Sequence, residues 1–471
     1  MTHAPAVMVV AAALVAGCSG QSAPTAPSHA APSSTSLPQG QHSGWRMFGV
    51  SSDRANVSGA PAAITAGNAG SLRRTTIDVP GTVDSSPIWI RNRFVVTTSY
   101  GRTLALSADG RTLWTYTPPG IDGWEGSAQI TNASPATDGR FVYAVSPDGL
   151  VHKLSLDDGA EVTGGGWPAR ISLDPEHEKI GTALNLSGPY VLATTGGYIG
   201  DAPPYQGHVV AIDRESGRIV HVWNALCSNR HELIQPSSCS DSGAAIWARS
   251  GAVVEPHSGR ILVATGNGRY DGRTAWGDSV IELSPDASRM LASWTPPNQA
   301  ELAAGDVDLG STAPAIVRGP DGRLFGVQGG KDGLLRLIDL ADMRVVQTLP
   351  DPGATAMFTA PAVAGRTVFA ATDAGTAAYR LTGGDSPRLA LVWRNDRAGT
   401  SPVIAGGLVY VYDATGGLDV YRPGSSDPIA TLPAASGHWQ SPVVVAGSVL
   451  VGEGNANDHA TEGTLSLYRL P

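Results

Sequence analysis

The sequence predicts an all-β fold, an eight-bladed β-propeller of four-stranded antiparallel sheets, on two observations. Short runs of alternating apolar and polar residues, cut by Gly, Asp and Pro, recur across residues 82–471 with no long stretch of 3.6-residue apolar period, which is the pattern of short half-buried strands. The runs also recur as a unit of roughly 40–50 residues, enough for four strands, which is the spacing of propeller blades.

The first unit shows the elements in order. Ser85-Ser86-Pro87 leads into Ile88-Trp89-Ile90, then Phe94-Val95-Val96-Thr97-Thr98, a turn at Gly101, Leu104-Ala105-Leu106, Gly110 and a last strand near Trp114. Further units begin near Ser134-Pro135, Gly188-Pro189, Ser250-Gly251, Ala313-Pro314, Ala360-Pro361, Ser401-Pro402 and Ser441-Pro442. One such sheet cannot bury both its faces alone, so the sheets must stack around an axis. Trp114, Trp167, Trp223, Trp294, Trp393 and Tyr421 recur near the unit ends, where a large ring fills the wedge between twisted sheets. The final run Leu465-Ser466-Leu467-Tyr468 is expected to pair with an early strand, closing the ring and removing its open edges.

Ahead of the propeller, expected over 45–471, lie a signal segment over 1–17 and a flexible tether over 18–44. The apolar stretch from Val7 to Val15 is too short to span a bilayer. It ends in Leu14-Val15-Ala16-Gly17-Cys18, which resembles the lipobox of bacterial lipoproteins and implies a lipidated Cys18, although Met1-Thr2-His3 lacks the basic residue such signals carry. The Ser, Pro, Ala and Gln that follow cannot bury enough surface to fold. The expected location is the outer face of a bacterial cell membrane, held by the lipid anchor, or the periplasm.

Cysteine usage agrees with export. Beyond Cys18 only Cys227 and Cys239 occur, an even pair that reads as a disulfide closing a loop of about a dozen residues, worth roughly 3 kcal/mol. Two metal thiolates would need further Cys or paired His that the chain lacks. No Cys-x-x-Cys-His occurs, so covalent haem is not expected. The net charge of −9 comes without a Lys/Arg stripe, which argues against nucleic acid as a partner. A monomer is expected.

The unit Gly207-His208-Val209-Val210-Ala211-Ile212-Asp213, with Gly217 and Trp223, is similar to the PQQ-type propeller repeat of quinoprotein dehydrogenases, and Trp45-Arg46-Met47-Phe48-Gly49 resembles the segment before their first blade. The resemblance spans nearly everything after residue 44. It implies site residues in chain order. Trp247, ending Ser242-Gly243-Ala244-Ala245-Ile246-Trp247, takes the place of the indole under the quinone. Asn267 in Thr265-Gly266-Asn267 takes that of a Ca²⁺ ligand. Asp308 takes that of the base for the substrate hydroxyl, and Lys331 that of the cation at the quinone oxygens. Only Lys153, Lys179 and Lys331 occur in an Arg-dominated chain, which singles out Lys331 on composition as well.

Three departures from the family stand out. There is no vicinal Cys pair. The Glu expected to complete the Ca²⁺ shell is replaced by Gly196-Gly197-Tyr198, leaving Asp201 as a substitute, and an expected Arg is missing. Asp174-Pro175-Glu176-His177-Glu178-Lys179 reads as a solvated connection and residues 452–459 as a solvated hairpin tip, with a rim pocket or cation site lined by its carboxamides and carboxylates as the alternative. Two functions therefore remain. One is a PQQ- and Ca²⁺-dependent dehydrogenase acting on a small alcohol or sugar. The other is a non-catalytic propeller binding a protein or envelope glycan, as the barrel-assembly lipoproteins built from the same repeat do.

Overall fold

A computed structural model describes residues 44–60 and 63–471. The expected signal segment, Cys18 and residues 18–43 of the tether lie outside the described residues. Eight four-stranded antiparallel sheets follow one another along the chain as the blades of a propeller. Their innermost strands are Ile88–Ile90, Ala136–Thr137, Asn185–Ser187, Val253–Val254, Ala315–Arg318, Ala362–Ala364, Val403–Ala405 and Val443–Val445, here blades 1 to 8. The only α-helix among the described residues is Gln299–Ala304.

All but the third blade begin just after the start read from the sequence. In blade 3, Gly188-Pro189 follows the innermost strand instead of preceding it. Gly188 takes a φ of +53° and makes the turn into the second strand, Tyr190–Thr194, a left-handed conformation that glycine adopts without steric cost.

The ring closes as the sequence implies. The outermost strand of blade 8 is Arg73–Val79, paired antiparallel with Gly463–Arg469 from Arg73 opposite Arg469 to Val79 opposite Gly463. The expected aromatic wedges lie between blades. Trp114 of blade 1 donates its Nε1 proton to the Leu156 carbonyl of blade 2 at 3.0 Å, and its ring fills the space where a Cβ on Gly159 would sit. Trp167 of blade 2 packs against Gly217 of blade 3 in the same way. Trp294 is the looser member, only partly buried. Cys227 and Cys239 are disulfide-bonded, as expected.

The segment from Trp45 to Ser58 crosses the axis. Trp45 bridges to Trp89 in blade 1. The carbonyls of Arg46, Ser52, Ala55 and Asn56 accept from the amides of Thr137, Val254, Val363 and Ile404 in blades 2, 4, 6 and 7. Val57–Ser58 then adds a parallel fifth strand to blade 7. Blade 3 is reached by the buried guanidinium of Arg54, which donates to the carbonyls of Ala183 (3.1 Å) and Leu184 (3.0 Å), and also to those of Ser250 (3.0 Å) and Phe48 (2.7 Å).

Replacing Arg54 leaves these buried carbonyls without donors. Arg54→Leu is expected to lower unfolding stability by about 3 kcal/mol or more, and Arg54→Lys to recover only part of it because an ammonium cannot fork to several carbonyls. Urea titrations of the three proteins check this; a loss under about 1 kcal/mol for Arg54→Leu would contradict the account.

Candidate functional site

The connections entering the innermost strands converge at one end of the axis. Those of blades 2, 4, 5, 6 and 8 contribute Asn132, Trp247 and Arg249, Asp306 and Asp308, Phe358, and His438 with Trp439. Loops between second and third strands add residues 196–201, Asn267, Lys331, and Asn455 with Asn457. With Lys179 and Gly181 these residues line a cavity of about 460 Å³. Trp247, Asn267, Asp308, Lys331 and Asp201, all singled out from the sequence, line it together. Trp247 is therefore not an inter-blade wedge.

One pole of the cavity is built on Lys331. Its ammonium lies 2.5 Å from Asp308 Oδ2 and 3.1 Å from Asp306 Oδ1, and it donates to the Asp306 carbonyl at 3.2 Å. Asp308 is nearly buried, and its Oδ1 accepts from the Asn267 amide at 2.6 Å. Burial pushes the Asp308 carboxyl up against the opposing pull of Lys331. Burial alone would lower Lys331, but Asp308 and Asp306 outweigh it and raise it. Behind them Asp278, accepting from the Leu309 amide at 3.1 Å, is pushed up to about 7 by burial. Gly266 makes the cluster possible: a Cβ there would fall 2.3 Å from Asp308 Oδ1 and 3.0 Å from Trp247 Nε1.

The second pole is centred on Asp84. Its Oδ1 accepts from Arg249 Nη2 at 2.6 Å, while Oδ2 lies 2.9 Å from His438 Nδ1 and accepts from the Ala456 amide at 3.0 Å. Burial alone would raise Asp84, yet Arg249, His438 and this amide hold it at about 2. Between the poles runs an aromatic belt. Phe358 and Trp439 stack at 4.8 Å, Trp247 lies 6.1 and 6.0 Å from them, and His438 stacks on Trp439 at 3.8 Å.

A metal does not fit this arrangement. The carboxylates of Asp306 and Asp308 are both ion-paired with Lys331, the Asn267 side-chain amide donates to Asp306 at 3.2 Å, and Asp201 is exposed and accepts from Tyr205 Oη at 2.8 Å. No group of three or more His, Cys, Asp or Glu among the described residues could hold a metal ion. A flat organic ligand fits better. Gly196 lies so close that a Cβ would reach 2.9 Å from Ala245 Cβ and 3.4 Å from Trp247 Cβ, so its bare backbone packs against the strand entry that carries Trp247 into the cavity wall.

The family model described as outer membrane protein assembly factor BamB matches residues 22–239. Residues 22–239 thus match a PQQ-type repeat model, and the chain as a whole has the eight-bladed propeller fold. Among solved structures it is similar to the quinohemoprotein alcohol dehydrogenase of Comamonas testosteroni, at 16% identity over 92% of this chain and 82% of that one, with a TM-score of 0.68. A europium-containing methanol dehydrogenase matches at 14% identity over 91% and 98%, TM-score 0.70. BamB from Moraxella catarrhalis matches at 14% over 84% and 98%, TM-score 0.54. Likeness at these identities carries the fold alone. No curated protein matches the chain by sequence.

Several residues of the site escape the sequence reading. Asp84, Asn132, Phe358 and Trp439 each stand three places before a repeat Pro, so the register of the repeat was the signal that could have found them. Two segments expected to be solvated are not. In the first, Glu178–Lys179 is a short strand paired with Gly196–Gly197, and its alternation sends Glu178 to the interior and Lys179 to the cavity. In the second, Asn455 and Asn457 line the cavity while Ala456 caps Asp84. A Ser146–His152–Glu161 line in blade 2, with 2.6 Å steps at both His nitrogens, mimics a nucleophile triad. Ser146 is fully buried, so this line is a structural clamp.

Glu178 anchors the Lys179 strand through a fully buried contact, His208 Nε2 to Glu178 Oε1 at 2.9 Å, with His208 Nδ1 2.5 Å from Asn224 Oδ1. Burial would lower His208, but Glu178 and Asn224 outweigh it, so its folded pKa is raised. The pair's contribution is then complete below the ordinary His value of about 6.5 and disappears as pH rises through the raised one. Thermal unfolding between pH 5 and 9 is expected to show wild type losing its advantage over His208→Gln as pH rises; a gap that stays constant or widens would contradict this assignment.

Proposed function

We propose that the axial cavity binds a flat quinone cofactor of the PQQ class and that the protein is a dehydrogenase for a small alcohol or sugar. One observation carries the reading: Trp247, Asp308 and Lys331, from the entries or loops of blades 4 and 5, line a single cavity beside the Gly196 backbone. When bound, the quinone supplies the two-electron acceptor. Trp247 gives the flat ring a wall. Asp308 Oδ2 is the atom placed to take the substrate hydroxyl proton, and Lys331 holds that carboxylate in position at 2.5 Å. Lys331 spends its remaining donors on Asp306, whose exposed side chain is the partner it can release toward a ligand. The donor set supports no metal-assisted step.

The second reading, a non-catalytic propeller for an envelope glycan or a protein, is favoured by the stacked Phe358–Trp439 pair beside the carboxamides of Asn132, Asn455 and Asn457, a combination suited to sugar rings. Under either reading the protein is exported and lipid-anchored. The lipobox-like segment at Cys18, the disulfide and the family description as an outer membrane assembly factor support this. No helix among the described residues is long and apolar enough to cross a membrane.

Titration with PQQ, with and without Ca²⁺, followed by tryptophan fluorescence and dye-linked alcohol oxidation, tests the reading. Asp308→Asn is expected to keep PQQ binding and lose roughly 10²–10⁴-fold in oxidation rate. Retained activity would remove Asp308 from the role of base; absence of PQQ binding by the wild-type protein would leave the binding-module reading.

A further inference from the structure

The unabsorbed feature of the cavity is its second pole, and its meaning rests on the reading of the cavity as a ligand site. Lys179 is half-buried on the cavity wall, and no hydrogen bond or ion pair engages its ammonium among the described residues. The charges that act on it are those of Arg249 and Asp84. The Asp84 carboxylate is already saturated by Arg249, His438 and the Ala456 amide. One carboxylate therefore faces a guanidinium, an imidazole and an uncompensated ammonium, so this end of the cavity carries excess positive charge. The Lys331 end has the opposite balance, with two carboxylates on one ammonium.

Burying an ammonium without a partner is costly, and the cost falls when an anion arrives. We infer that Lys179, with Arg249 and His438 behind it, forms a subsite for an oxyanion, a carboxylate or phosphate, carried on a flat ring seated against Trp247 and Trp439. Lys179 is the primary contact because its donors are free. Arg249 is already held at 2.6–3.2 Å by Asp84 and the Asn132 carbonyl, which makes it a positioning residue that keeps the pole positive. Surrounding protein and the neighbouring guanidinium bring Lys179 down to about 8, so its charge, and with it the attraction, is lost as pH rises through that value.

The test uses the full chain and simple probes. Calorimetric titration with 2-naphthoate, 2-naphthyl phosphate and neutral 2-naphthamide should show at least one anion binding roughly ten- to a hundred-fold more tightly than the amide; the two anions tell carboxylate from phosphate. Lys179→Gln should abolish that preference without changing amide affinity, and Lys179→Arg should restore part of it. The preference should also fade as pH passes about 8. Arg249 and His438 line the cavity at this end with Asp84 behind them, and His438→Gln should leave this fading in place. Equal affinities, no binding of any probe, or a preference that survives Lys179→Gln would overturn the subsite. Failure of the dehydrogenase reading looks different: the naphthoate preference persists while PQQ gives no oxidation.

Discussion

Everything in this molecule depends on how the axis is filled. Eight blades meeting at a centre bring their innermost backbone edges face to face, and each amide and carbonyl there needs a partner. The segment from Trp45 to Ser58 supplies those partners to blade after blade, and Arg54 concentrates the task in one guanidinium serving four carbonyls. Because these bonds reach the innermost strands themselves, the space left at the entrances to those strands is a blind cavity. The positions of Trp247, Asp308 and His438 are consequences of that closure.

The architecture was legible because it repeats. The Pro-marked starts, the terminal aromatics and the C-terminal run each recur or pair in ways that a period exposes, and only blade 3 departs, where a glycine turn displaced the Pro to the far side of its strand. The site was legible in part. Trp247, Asn267, Asp308 and Lys331 sit in motifs of a known repeat, and the cavity gathers them. What stayed hidden depends on partners distant in the chain. Glu178 and Lys179 look solvated in sequence because charge runs usually are, and only the pairing with Gly196–Gly197 divides them between core and cavity. His438 has no local motif at all. Its contact with Asp84 spans 354 positions.

The cavity is also electrically lopsided. An acidic excess surrounds Lys331, a basic excess surrounds Asp84, and an aromatic belt separates them. In a confined, poorly solvated space such charges are weakly screened, so the cavity orients whatever enters it. The absence of a spare carboxylate cluster turns the same residues away from a hard cation and toward an organic guest.

The pairing of Arg73–Val79 with Gly463–Arg469 makes blade 8 a clasp between the two ends of the propeller. Until the final strand arrives, the early one has nothing to pair with, so native closure must wait for the whole chain and folding is governed by its longest-range contact. A truncated or stalled product would display the early strand as a free edge. Exposed edges of that kind invite pairing with other chains and attack by proteases. The clasp thus doubles as a proofreading device: only a chain carried through to its last residues can hide the mark of incompleteness.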